Sequence, residues 1–149
     1  MSVNDPDLDP ARASTRTPMR VRFFETDLMG IVHHGSYFTY FEHGRVEWLR
    51  ARGVTYADWA NKGIHLPVVE AHAEYKSPAR FDDELVIETT LAELRTVSLK
   101  FTYRIERAST LVATGYTRLA CIDGSHKLHR MTEDMRAVLL AGEVSPRTP

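Results

Sequence analysis

A single cysteine, Cys121, is all the chain has, so an intrachain disulfide is excluded. Such sparing use of cysteine points to a reducing, cytoplasmic setting. Cys121 lies in an apolar, strand-like run and reads as a small buried hydrophobe, not as a nucleophile. Long hydrophobic runs are missing as well. No stretch approaches the roughly 18 apolar residues of a membrane-spanning helix, so no integral membrane association is expected. The opening MSVNDPDLDPARASTRTP has no apolar h-region and does not read as a secretory signal. Charge of one sign is not in excess: the formal net charge is −1, and no overall field draws nucleic acid to the chain. The G-x-S-x-G pattern of a serine nucleophile elbow does not occur. His126 and His129 are spaced i, i+3 but have no cysteine or acidic companion that completes a ligand set, so we expect no metal and no redox cofactor.

What is present suits one globular domain: 149 residues, 43% of them apolar. Residues 1–17 are polar and interrupted by Pro6 and Pro10, and we read them as a disordered tail. Residues 143–149 read as a second flexible tail, which leaves 18–142 as the domain. Met19–Glu25 alternates weakly and is expected as a first strand. Tyr37, Phe41 and Trp48, flanked by Phe38, Tyr40, Val46 and Leu49, form a broad apolar stripe at helical spacing over 35–52. Ser36 is the expected N-cap, and Gly53 sits where a C-terminal glycine belongs. Gly44 costs about 1 kcal/mol inside a helix and implies close approach of another backbone. Residues 55–62 allow a short helix capped by Thr55, and 132–141 another capped by Thr132.

The remainder reads as strand. Val69, Ala71, Ala73 and Tyr75 alternate with polar residues, and Leu85, Ile87, Thr89 and Leu91 share a face. The cleanest period of two is Val97, Leu99, Phe101, Tyr103 and Ile105, and a poorer one spans 110–123. Short connections between late strands call for antiparallel pairing. An α+β architecture follows, in which a curled antiparallel sheet wraps one long central helix.

The stretch RVRFFETDLMGIVHHGSYFTYFEHGR resembles the hot-dog fold acyl-CoA thioesterases of the 4-hydroxybenzoyl-CoA thioesterase family, and within it the Tol–Pal-associated branch. The motif is Asp27, Leu28–Met29, Gly30, Ile31–Val32, His33–His34, then Gly35–Ser36–Tyr37 turning into the helix. EYKSPARFDDELVIET and VSLKFTYRIER resemble later family blocks in matching order. Two positions depart from the pattern: Phe23 stands where many relatives carry tyrosine, and Arg130–Met131–Thr132 replaces a basic residue followed by Ile-Pro.

The resemblance implies thioester hydrolysis with Asp27 as nucleophile or general base. It also implies that the backbone N–H of His34 donates to the thioester oxygen, as the unpaired N–H groups of a helix start suit a developing oxyanion. Read from spacing alone, Asp27 is first a turn residue accepting local N–H groups, and only the full motif points to catalysis. The His34 ring either touches substrate or merely accompanies its backbone. Gly30, Ile31, Val32, His33, Gly35 and Tyr37 are expected along the substrate, with Gly30 and Gly35 serving backbone geometry and His33 packing. Thr96 and Ser98 are placed to hydrogen-bond pantetheine. Lys76, Arg80, Arg95 and Lys100 either meet CoA phosphates or form a solvated face. Glu25 reads as a solvent-facing strand residue, Thr26 as bonding the turn, and Glu42 as the reserve carboxylate. The expected partner is acyl-CoA, or acyl-ACP with the same chemistry, in a homodimer or homotetramer. A non-catalytic acyl-CoA binder on the same fold is the alternative from another class.

Overall fold

In the computed structural model, which describes residues 3–144, ten α-helices and β-strands follow one another. They are β1 Ser14–Arg20, α1 Ser36–Arg50, α2 Tyr56–Ala60, β2 Ile64–His65, β3 Val68–Tyr75, β4 Glu84–Leu94, β5 Ser98–Arg107, β6 Thr110–Ala120, β7 Ile122–Asp123 and α3 Glu133–Leu140. Five strands form one antiparallel sheet in the order β1-β4-β5-β6-β3, and β2 pairs with β7. The architecture is α+β.

The helical stripe faces the sheet. Tyr37, Tyr40, Phe41, Trp48 and Leu49 are buried, and α1 touches β1, β3, β4, β5 and β6. Phe41 stacks on Tyr103 of β5 at 4.3 Å, and Trp48 Nε1 donates to the Ala13 carbonyl at 2.9 Å. Opposite them, Leu85, Ile87, Thr89 and Leu91 of β4 and Leu99, Phe101, Tyr103 and Ile105 of β5 are buried at every second position. Each fully buried Leu or Phe contributes about 1.5–3 kcal/mol. Gly44 is required by close approach, although not of a backbone. A Cβ there would collide with the Thr89 hydroxyl and lie 2.9 Å from an Ile87 methyl. The short helices agree with their caps: Thr55 accepts from the Asp58 N–H and Thr132 from the Met135 N–H. Gly53 and Gly63 take φ of +85° and +79° past the ends of α1 and α2.

Three expectations need correction. The first strand lies at 14–20, not 19–25, because Thr15 and Thr17 supply its buried face. β-branched threonine suits a pleated, half-buried surface, and Pro18 is tolerated because β1 is an edge strand. Residues Phe23–Glu25 instead form a 3₁₀ turn. The described part of 1–17 is therefore not a disordered tail. Asp5 N–H donates to the Leu94 carbonyl at 2.7 Å, and Arg136 pairs with Asp5 at 2.6 Å. Arg52 spends all three nitrogens on Ala141, Thr15, Trp48 and Arg12 oxygens while stacking on Trp48, so it ties both chain ends to α1. Finally, Gly35, and not Ser36, occupies the N-cap position of α1, without a side-chain bond. Of the expected C-terminal tail, residues 145–149 lie outside the described residues, and Val144 N–H donates to the Ala51 carbonyl. Residues 1–2 are likewise outside.

Deleting residues 2–16 should lower stability by at least about 2 kcal/mol, since it removes part of β1 and two acceptors of Arg52. Thermal melting checks this. A truncated chain that melts with the intact one would make the segment a dispensable tail after all.

Candidate active site

The turn before α1 is built from its own backbone. Asp27 N–H donates to the Ile31 carbonyl and Gly30 N–H to the Asp27 carbonyl, both at 2.9 Å. Gly30 sits at φ +76°, a conformation that costs other residues strain. Asp27 Oδ1 accepts from Met29 N–H at 2.9 Å, the local turn bond open to any aspartate here. No described residue donates to its other oxygen. Thr26 Oγ1 donates to the Phe23 carbonyl and closes the preceding turn, as expected.

His33 N–H donates to the Glu25 carbonyl, Gly35 N–H to His33 Nδ1 and Ser36 N–H to the His33 carbonyl. Among these consecutive donors the His34 N–H is the exception: no described residue accepts from it. The His34 carbonyl accepts from the Tyr75 hydroxyl at 2.9 Å, which pins the peptide from the end of β3. Asp27, His34, Ile31, Val32 and Tyr37 share a cavity of about 360 Å³, with Tyr75 and Lys76 across from them. Burial, and then the neighbouring Tyr75, push the Tyr37 phenol up, so it stays a neutral hydroxyl.

Glu25 is not a solvent-facing strand residue; it is 3% exposed beneath the turn. Its Oε1 accepts from Arg22 N–H at 2.7 Å and from the Tyr40 hydroxyl at 3.1 Å, and its Oε2 pairs with Arg22 Nη2 at 2.8 Å. Its carbonyl holds both His33 N–H and Ser36 Oγ. Glu25 thus positions the segment leading to His34. Burial opposes its ionised form, but the Arg22 and Tyr40 bonds outweigh that and hold its carboxyl below the usual range. A depressed folded value means the stabilisation is complete above the unfolded pKa of about 4.3. It is lost as pH falls through the lower folded value. Melting temperature should therefore fall on acidification below about pH 4 less steeply in Glu25→Gln than in the intact protein; identical slopes would contradict this.

The remaining expected residues are dispersed. The His33 ring lies against that of His34 at 4.2 Å, tilted by 30°, exposed and outside the cavity. Gly35 and Glu42 line a different cavity, on the other side of the helix start. Thr96 lines a third one with Arg95 and Arg136, and neither Thr96 nor Ser98 reaches the Asp27 cavity within one chain. Of the basic residues, Lys76 lines the Asp27 cavity and Arg80 lies beside Gly30. Lys100 instead covers the Tyr116 ring. Cys121 is fully buried, and burial pushes its thiol up. Phe23 is exposed against Phe81, so no phenol stands there. Sequence reasoning did not select Tyr75 for the site; its only signal was its place at the end of an alternating run.

The profile of the thioesterase-like superfamily matches residues 21–139. The acyl-CoA thioester hydrolase YbgC of Escherichia coli O6:H1 is 36% identical over 72% of this chain and 81% of its own length. A solved structure described as hypothetical protein TT1821 from Thermus thermophilus shares 39% identity, covers 85% of this chain and 95% of its own, and superposes with a TM-score of 0.80. The DHNA-CoA thioesterase from Staphylococcus aureus is 28% identical, covers 84% of this chain and 87% of its own, and gives a TM-score of 0.81.

Proposed function

This chain belongs to the thioesterase-like superfamily, and on that premise we propose that the Asp27 cavity hydrolyses an acyl-CoA thioester to a carboxylic acid and free CoA. The protein is a thioester hydrolase. What carries the site assignment is one juxtaposition: an unclaimed His34 N–H at the helix start and a carboxylate with one oxygen unclaimed line the same cavity.

The carbonyl oxygen accepts from His34 N–H, where the helix start favours negative charge. Asp27 takes a proton from water as its oxygen attacks the carbonyl carbon; the oxyanion then collapses, the C–S bond breaks, and the CoA thiolate leaves and is protonated. In the alternative route Asp27 itself attacks, and water hydrolyses the mixed anhydride. We place the general-base route first, because Phe23 offers no phenol to assist. Ile31, Val32 and Tyr37 bound the thioester, Gly30 keeps the turn tight, and Lys76 and Arg80 are the cations best placed for CoA phosphates.

We read the sheet and α1 as the hot-dog fold, with α1 as the long central helix, and we assign the chain to the Tol–Pal-associated branch on its Asp27–Tyr37 motif. A cytoplasmic location accords with one cysteine; among the described residues no helix is long and apolar enough to cross a membrane. A homodimer, or a tetramer of two such pairs, accords with β3. This edge strand exposes Val68, Val69 and Tyr75, and an unpaired edge invites another strand. Thr96 and Ser98 do not line the Asp27 cavity within one chain, so a role for them at the thioester requires a second copy. Light scattering should find no monomer under assay conditions.

A free-thiol assay across acyl-CoA and acyl-ACP substrates tests the reading. Release of CoA from at least one acyl-CoA is expected. Release from acyl-ACP alone selects the carrier-protein alternative, and no release with tight binding selects a non-catalytic binder.

A further inference from the structure

Among the described residues two arginines are buried, Arg45 at 8% exposure and Arg52 at 5%. Arg52 satisfies every nitrogen. Arg45 does not. Its Nη1 donates to the Tyr103 hydroxyl at 3.2 Å and weakly to Thr117 Oγ1 at 3.4 Å. Among the described residues its buried Nε has no acceptor at full hydrogen-bond geometry, and the buried Tyr56 hydroxyl beside it interacts with the guanidinium only as a loose partner. No described residue accepts from Nη2, and no described carboxylate forms an ion pair with it. A buried guanidinium without a counter-charge is expensive to keep.

This side chain lines a cavity of about 420 Å³ between α1 and strands β3 and β6, walled by Phe38, Val68, Ala71 and Thr117. Gly35 lines the same cavity, and Gly35 follows His34, which lines the Asp27 cavity. The two cavities therefore flank the first turn of α1. Ten residues of helix separate Gly35 from Arg45, about 15 Å along the axis. Helical side chains lean toward the N-terminus, which leaves about 10 Å for a ligand between them.

We propose that this second cavity holds the acyl tail, and that Arg45 selects acyl groups whose far end carries an oxygen acceptor, a carboxylate before a hydroxyl. The assignment rests on the thioester-hydrolase reading above. Glu42, exposed on the same cavity, repels anions at the rim, while Arg45 attracts them at depth. A carboxylate accepting from Nη2 would supply the missing counter-charge. A methyl-ended chain of equal length would fill the apolar wall but leave Arg45 unpaired.

The test compares three CoA thioesters of eight-carbon chains, ending in a methyl, a hydroxyl or a carboxylate, in the full chain. For the carboxylate-ended chain, kcat/KM should exceed that for the methyl-ended chain by at least about tenfold, as expected of one charge-assisted hydrogen bond. The hydroxyl-ended chain should fall between. In Arg45→Met the ratio should collapse to below about threefold. If that variant does not fold, Arg45→Lys keeps the charge but shortens its reach, and should cut the ratio by at least about threefold. Equal rates in the intact protein, or an undiminished preference in the folded variant, would overturn the inference while thioester hydrolysis stands. Thioether analogues, which cannot be hydrolysed, separate the two claims by calorimetry. Tighter binding of the carboxylate-ended thioether with no hydrolysis of any thioester would support the Arg45 subsite and overturn the hydrolase reading. Equal binding with no hydrolysis would overturn both.

Discussion

Asp27→Asn should lower kcat by at least about a hundredfold while KM changes little, the size and pattern of a lost acid–base group. Asparagine keeps the shape of the side chain, and its oxygen still accepts from Met29 N–H, so the turn built on Gly30 survives. What disappears is the negative charge and the second, unclaimed oxygen. That separates the two readings of Asp27, because a purely structural turn residue would lose nothing. A single turnover in ¹⁸O-water then distinguishes the routes. Label in the aspartate establishes direct attack through the anhydride, and label confined to the acid product calls for trapping the anhydride. Near-normal turnover by Asp27→Asn would remove Asp27 from the chemistry and send the search to Glu42, despite its place in the other cavity.

The second large effect concerns His34. His34→Pro deletes a donor at the helix start that no described residue uses, and kcat should fall about a hundredfold to a thousandfold, as for a lost oxyanion donor. His34→Ala retains that N–H and should retain most activity. The ring is exposed and lies tilted against His33, so its loss leaves the backbone donor in place. Proline at 34 also restrains residue 33 toward extended geometry, so melting of both variants accompanies the kinetics. A fall of more than about a hundredfold in His34→Ala would assign the imidazole a direct role.

The elements that were legible from sequence are those in which one simple period governs burial. α1 shows its broad aromatic stripe, and β4 and β5 bury every second residue. The caps at Thr55 and Thr132 were legible for the same local reason, a side-chain oxygen three residues before a free N–H. β1 was not, because its buried face is threonine and its end runs into apolar residues, Phe23 and Phe24, that the fold leaves exposed. Glu25 was misplaced as a consequence: as a strand residue it would face solvent, whereas in a 3₁₀ turn it folds back on Arg22 and Tyr40. Alternation in β3 did not foretell that both its faces stay exposed, since pattern says nothing about which strand ends up at the edge. The Asp27 motif was legible as a motif. That the His34 carbonyl is held from β3, and that Arg45 opens onto a second cavity, depends on contacts distant in sequence, from Tyr75, Tyr103 and Thr117.

A crystal structure with an acyl-CoA analogue in which a methylene replaces the thioester sulfur would show the arrangement directly, because the carbonyl is kept and hydrolysis is blocked. The carbonyl oxygen should lie about 3 Å from the His34 nitrogen. The Asp27 carboxylate should stand within reach of the carbonyl carbon or of one water beside it. A carbonyl bound elsewhere, or turned away from His34 with Asp27 out of reach of both carbon and water, would contradict the site proposed for this hydrolase.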